Sequence, residues 1–369
     1  ADAVVTGGGV GRFDAVTLDK ILTGKAAVVR PFIDELDQGM DGGSTPQDLE
    51  TLFQLLHLRF TEPRADPTAF AAMASRGRAL LANRLASPDV VFEQAIDAAL
   101  SQNSPRRRPE TPATLEQWNL AKSLAFYKAR FADASRFTFV FVGSFKPEAI
   151  KPLVETYIAS LPATHGRENW RDLGISPPTG VVQQTIEKGI APKSQVAVVF
   201  SGPFAYDDAH KLALRTMTLV LQSRLFDTIR QELGGTYSIT VTPGTGKFPR
   251  PEYRVRIDWT CDPARTAMLT KRVFEEIAFV KATPLSMDQV GRIRETLVRE
   301  VERSSQDNGY FLNQISRRYE DGDAANLGAM ANPLQAIAGL TGEAIRQAAG
   351  TYLDTANYVQ VTLMPETTK

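Results

Sequence analysis

The feature that most constrains this chain is that its two halves read alike. "LFQLLHLRFTEPRADPTAFAAMASRGRALLANRLASPDVVFEQAI" (52–96) aligns with "VFEEIAFVKATPLSMDQVGRIRETLVREVERSSQDNGYFLNQI" (273–315), placing Phe53 on Phe274, Pro63 on Pro284, Phe92 on Phe311 and Ile96 on Ile315 at an offset of about 220 residues. Both copies run helix, proline-marked turn, helix, polar break, helix, with apolar residues at three- and four-residue spacing. Further on, each copy reaches a second helix and then a strand: "LAFYKARF" leads into "FTFVFVG" (137–143) as "EAIRQAAG" leads into "YVQVTLM" (358–364). The likeness is one of pattern more than identity. With 369 residues to distribute, it predicts two domains of one design, each burying its own core.

The second copy has an opening that the first lacks. "VVQQTIEKG" (181–189) and "SQVAVVFSG" (194–202) read as strands. Asp207 then caps a helix of roughly 25 residues. Subtracting the offset puts this opening before residue 1, so the expectation is a first repeat short of about 40 residues at its start, in a chain cut from something longer. "LPATHGRENWRDLGISPPTG" (161–180) is rich in Pro, Gly and polar residues and reads as a linker between domains at 1–160 and 181–369. Within the second copy "YSITVT" (237–242) and "EYRVRIDWT" (252–260) alternate with period two: Tyr253, Val255, Ile257 and Trp259 share one face, Arg254, Arg256 and Asp258 the other. One-faced strands with helices on the buried side predict an α+β fold, two homologous two-layer sandwiches with the first truncated at its N-terminus.

Composition narrows the function classes. The 42 basic and 42 acidic side chains cancel, leaving no bulk field to draw nucleic acid or an acidic membrane surface. The densest basic run, Arg106–Arg107–Arg108, lies between Pro105 and Pro109 and reads as an exposed loop. Cys261 is the one cysteine, which excludes an internal disulfide and a thiolate zinc cage without fixing the compartment. No signal-peptide pattern opens the chain and no apolar run reaches the ~18 residues of a spanning helix, so the chain reads as soluble.

The three histidines, His57, His165 and His210, have no histidine four residues on, so no helical zinc motif can be assembled from neighbours. "GGGVGRF" (7–13) has the look of a dinucleotide loop, but no strand precedes it. The repeat offers a better account, because the glycines lie about 220 residues before "RQELGGTYSI" (230–239) and read as the first copy of the same turn. That copy carries Arg12 and Phe13 where the second carries Arg230 and Tyr237.

Arg230 and Tyr237 flank the double glycine Gly234–Gly235, where a long helix gives way to a strand. Two readings stand. In one, the glycines end the helix, Arg230 is a cation favoured by the helix dipole, and Tyr237 begins the buried stripe continued by Ile239 and Val241. In the other, a guanidinium and a phenol meet one ligand, since both can donate hydrogen bonds to a peptide carbonyl or to the oxyanion formed when water attacks it.

The arrangement resembles the insulinase/pitrilysin family of zinc metallopeptidases, particularly the C-terminal half, third and fourth domains, of its bacterial periplasmic-type members. Arg230 and Tyr237 match that half's arginine–tyrosine pair in spacing and context, with "GGTYS" in place of the usual Gly-x-x-Tyr-Ser form. "STPQDLETLFQLLHLRFTEPR" (44–64) and "FTFVFVGSF" (137–145) look like segments of the third domain, so the resemblance covers nearly the whole chain. It implies α+β repeats, a partner N-terminal half that carries H-x-x-E-H and the zinc, and a chamber closed by the two halves around an unfolded peptide. It also implies a periplasmic location and a chain that neither binds catalytic zinc nor cleaves peptides alone, with Arg230 and Tyr237 as its catalytic and substrate-binding residues. A scaffold or assembly subunit of the same fold, like the family's respiratory-complex core proteins, is the rival reading. A third reading is an unrelated module that binds peptides along exposed strand edges, which leaves the pair without a role.

Overall fold

A computed structural model describes residues 1–232, 238–331 and 333–366. Among these the elements run α1 (Asp2–Gly8), α2 (Ala15–Ile21), β1 (Ala27–Ile33), β2 (Gln38–Ser44), α3 (Leu49–Thr61), α4 (Pro67–Ala86), α5 (Pro88–Leu100), α6 (Pro112–Leu115), α7 (Leu120–Arg130), α8 (Pro147–Leu153), β3 (Val181–Glu187), β4 (Ser194–Pro203), α9 (Asp208–Leu225), β5 (Ser238–Gly246), β6 (Glu252–Cys261), α10 (Thr266–Ala282), α11 (Met287–Ser304), α12 (Asn308–Glu320), α13 (Pro333–Ala338), α14 (Gly342–Tyr352) and β7 (Tyr358–Met364). Two antiparallel strands followed by helices occur twice in this order, at β1–β2 and at β5–β6. The fold is α+β, divided into one unit of Ala1–Ala82 with Glu110–Trp170 and another of Asn83–Pro109 with Arg171–Lys369.

In the first unit β1 and β2 form an antiparallel hairpin with Ile33 opposite Gln38. Val29, Leu52 and Leu55 pack beneath it. Beside them Phe60, Tyr127, Phe131 and Phe137 form an aromatic cluster, with Phe60 edge-on to Phe131 and Phe137 at centroid distances of 5.5 and 5.1 Å. The run 137–143, predicted as a strand, joins no ladder among the described residues. It serves instead as a source of aromatic side chains: Phe137 and Phe139 enter the cluster and Phe141 stacks on Phe53 at 5.2 Å. Its counterpart β7 is a strand because β3 and β4 flank it. An extended segment becomes a ladder strand only where neighbours supply donors and acceptors.

In the second unit five strands take the order β3-β7-β4-β6-β5. β3 and β7 are parallel and the other neighbours antiparallel. β6 alternates as predicted, Tyr253, Val255, Ile257 and Trp259 buried on the face that meets Leu214, Met217 and Leu221 of α9, Leu269, Val273 and Ile277 of α10, and Ile345 of α14. β4 does not alternate: residues from Val196 to Ser201 are all buried. Val196, Val198 and Phe200 face the main core, while Ala197 and Val199 join Val359, Val361 and Leu363 of β7 under Phe92, Ile96 and Leu100 of α5. The predicted two layers are therefore three over β4 and β7. The covering helix comes from the stretch the sequence assigns to the first repeat. Arg256 clamps it further, donating to both carboxylate oxygens of Glu93 at 2.7 and 2.6 Å and to Asp258 at 2.8 Å.

The segment read as a linker is anchored at both ends. Asp133, 1% exposed, accepts hydrogen bonds from the backbone of Thr164 and Gly166 at 2.9 Å each, and from the hydroxyls of Ser135 and Thr164 at 2.5 and 2.6 Å. Within the second unit, Arg250 pairs with Asp172 at 2.9 Å and Gly180 N–H donates to Asn357 at 2.7 Å.

Candidate functional site

The helix leading to the candidate pair begins where predicted. The carboxylate of Asp207 accepts the His210 N–H at 2.8 Å, satisfying one of the donors that a helix start leaves open. Leu214, Met217, Leu221 and Leu225 form its buried stripe. After Leu225 the chain continues as π-helical turns, Phe226–Glu232, with Ile229 fully buried. The backbone of Arg230 belongs to these turns; its side chain, and Tyr237 with the double glycine, lie outside the described residues. The chain is described again from Ser238, the first residue of β5, opposite Thr260 of β6.

Two anchors bracket the stretch 230–237, and both start from α9. On the strand side, the Gln222 side chain donates to the carbonyl of Ile239 at 3.0 Å and accepts the N–H of Val241 at 2.6 Å. On the helix side, Arg224 donates through Nε to the carboxylate of Glu276 at 2.9 Å, with its Nη2 at 2.6 Å from the same oxygen. The Thr228 hydroxyl donates to the other oxygen at 3.3 Å, and Arg272 pairs with it at 3.1 Å. Glu276 is 3% exposed, and the Arg224 guanidinium lies 3.7 Å from the centre of the Phe279 ring. A carboxylate so buried is tolerated because two guanidinium groups and a hydroxyl replace its water.

Sequence reading singled out Arg230 and Tyr237 and passed over Gln222 and Glu276, which anchor the described residues on either side of them. Glu276 carried a signal: it falls in phase with Leu269, Val273, Ile277 and Val280, so a charge sits on the buried stripe of α10. Gln222 carried none, since a glutamine near a helix end is ordinary and its two acceptor–donor partners come from a strand seventeen and nineteen residues on.

The remaining candidates have structural roles. His57 Nδ1 hydrogen-bonds with the Tyr157 carbonyl at 2.9 Å, and His210 Nδ1 lies 2.8 Å from both carboxylate oxygens of Asp207. "GGGVGRF" follows no strand. Its carbonyls are the groups in use, with Gly8 accepting from Arg64 at 2.6 Å and Gly9 from Arg59 at 2.9 Å. The Val10 and Gly11 N–H groups are taken by the carbonyls of Phe13 and Glu62. A phosphate cradle presents free N–H groups, which is the opposite arrangement. Glycine is required at position 8 by packing: an added Cβ would stand 2.3 Å from the Arg64 carbonyl oxygen. Among the described residues no three His, Cys, Asp or Glu side chains are grouped to hold a metal ion, and no helix is long and apolar enough to cross a membrane.

Comparison with known proteins places this geometry. Residues 117–297, which include Gln222, Arg230, Tyr237 and Glu276, match the family described as the peptidase M16 inactive domain. A relative from Arabidopsis thaliana, the "Zinc protease PQQL-like", is 24% identical over 346 residues, covering 86% of this chain and 36% of its own length. The periplasmic protease PqqL of Escherichia coli matches in structure with a TM-score of 0.85 at 19% identity, over 98% of this chain and 40% of that one. The first half of the same Escherichia coli protease, solved separately, matches with a TM-score of 0.74 at 12% identity, over 98% of this chain and 81% of that one. The present chain thus spans less than half the length of the plant relative and of the complete Escherichia coli protease, and its fold resembles that protease's first half as well. On these matches residues 117–297 are similar to the peptidase M16 inactive domain, and the chain as a whole is similar to the zinc proteases of that family, the insulinase/pitrilysin metallopeptidases.

Proposed function

We propose that this chain is the zinc-free half of a periplasmic zinc metallopeptidase and completes the active site of a zinc-bearing N-terminal half. What carries the reading is the match of residues 117–297 to the inactive domain together with an Arg-x6-Tyr spacing at a helix-to-strand junction inside it. Zinc held by the partner half supplies an activated water when bound. Tyr237 donates its hydroxyl to the oxygen of the scissile carbonyl, where negative charge develops as water adds. Arg230, always charged and planar, donates to the same oxygen or to the neighbouring substrate backbone. A peptide backbone offers the same carbonyls in every sequence, so the two residues suit unfolded peptides of varied sequence, with the closed chamber selecting by size.

The test is Tyr237→Phe in the complete protein, assayed with an internally quenched unstructured peptide. Loss of the hydroxyl should lower turnover by about 100-fold with KM and thermal midpoint held. Wild-type turnover would leave the tyrosine as the first residue of a buried stripe and favour a scaffold role.

A further inference from the structure

In the first unit the run 137–143 packs like a strand without pairing like one. Phe137 and Phe139 enter the aromatic cluster and Phe141 stacks on Phe53, so alternate side chains serve one core. From Thr138 to Val142 no backbone-to-backbone hydrogen bond is made among the described residues, although Phe139 to Val142 are half-buried. Peptide groups withdrawn from water are paired in folded proteins. β2 raises the same question: among the described residues it pairs with β1 alone, and its Met40 packs in the cluster that holds Phe137 and Phe139. Two extended backbones with groups to pair thus border one core. The second unit shows what joins such elements. There β6, the counterpart of β2, and β7, the counterpart of the run, are not neighbours; β4 lies between them, antiparallel to both, with Val198 opposite Ile257 on one side and Gln360 on the other.

We propose that β2 and the run 137–143 form the two sides of a docking site for one β-strand from the remainder of the complete protein. The repeat offset of about 220 residues carries the counterpart of β4 outside residues 1–369, and more than half the length of the plant relative and of the Escherichia coli protease lies outside the part this chain matches. The strand runs antiparallel to both neighbours, as β4 does. Its alternate residues are apolar, like Val196, Val198 and Phe200 of β4, because they meet Phe60 and Phe139. Ladder hydrogen bonds hold it and the aromatic cluster selects its side chains. Proline marks the edges that stay open: Pro31 stands in β1 and Pro243 in β5, the outer strand of each hairpin, and none stands in β2 or in 137–143. This docking is independent of the roles proposed above for Arg230 and Tyr237.

The experiment is amide hydrogen exchange, read by mass spectrometry, on the complete protein and on its Val140→Pro variant, since proline is not tolerated inside a paired strand. In the wild type, 138–142 and β2 should exchange as slowly as β7. In the variant, exchange should become about tenfold faster or more in the run, in β2 and in one apolar segment outside residues 1–369, with β7 unchanged. Rapid exchange of 138–142 in the wild type, or a quickening that reaches no segment outside residues 1–369, overturns the proposal. Protection that falls on dilution, together with a dimer-to-monomer shift in light scattering, also overturns it and assigns the strand to a second copy of the chain. Should Val140→Pro not fold, Val140→Gly, which weakens a strand and keeps its N–H, takes its place, and the wild-type measurement stands without either variant.

Discussion

Arg224 holds Glu276 from one helix to the next, its Nη2 2.6 Å from a carboxylate that is itself 3% exposed. Replacing Glu276 with Gln keeps the volume and removes the charge, leaving two arginines facing a neutral amide. A loss of about 2 to 3 kcal/mol is expected, read as a lowered thermal midpoint. Glu275→Gln, beside it and exposed, should change stability by less than about 0.5 kcal/mol. Equal effects would show that the burial of Glu276 carries no weight.

Arg230→Lys in the complete protein should lower turnover although the charge is kept, because an ammonium cannot reproduce the guanidinium's planar fork of donors. A drop of about tenfold or more is expected. A lysine variant that turns over like wild type, in the same peptide assay used for Tyr237→Phe, would reduce Arg230 to a helix-end cation.

Asp133 provides the pH test. Hydrogen bonds from the Ser135 and Thr164 hydroxyls, aided by the backbone of Thr164 and Gly166, hold its carboxyl far below the usual carboxylate range. A carboxyl depressed on folding stabilises the fold above its unfolded value of about 3.9 and loses that contribution as pH falls toward the folded value. Asp133→Asn should therefore melt below wild type by a constant gap from about pH 5 to pH 8, and the gap should narrow below about pH 4. A gap that does not change on acidification would mean that the charge is not what the hydroxyls recognise.

Phe92→Ala tests the third layer. The side chain is buried with Ala197, Val199 and Val361, and truncation should cost about 3 kcal/mol. Hydrogen exchange should quicken in β4 and β7 more than in β5. A change under about 1 kcal/mol would place α5 on that face without energetic consequence.

The chain by itself should retain no stoichiometric zinc after dialysis, as measured by elemental analysis, since its histidines serve separate local hydrogen bonds. One tightly held zinc per chain would count against the partner half as the source of the metal.

What sequence alone determined is the part governed by local periodicity. The spacing of Leu214, Met217, Leu221 and Leu225 defines a helical face and Asp207 its start; the alternation from Tyr253 to Trp259 defines a one-faced strand. Such patterns repeat every two or 3.6 residues and need no knowledge of distant partners. The Arg-x6-Tyr spacing was legible for the same reason, as two residue types across a glycine-marked junction. Tertiary structure decided what depends on partners far along the chain. Whether an extended aromatic run pairs depends on neighbours, which is why β7 is a ladder strand and 137–143 is not. The unbroken burial of β4 reflects α5, nearly a hundred residues upstream, folding onto its second face, and a run such as "VAVVF" admits that outcome without naming the helix. Gln222 acquires its meaning only when β5 is laid beside α9, because an amide has a role only where a donor and an acceptor meet it.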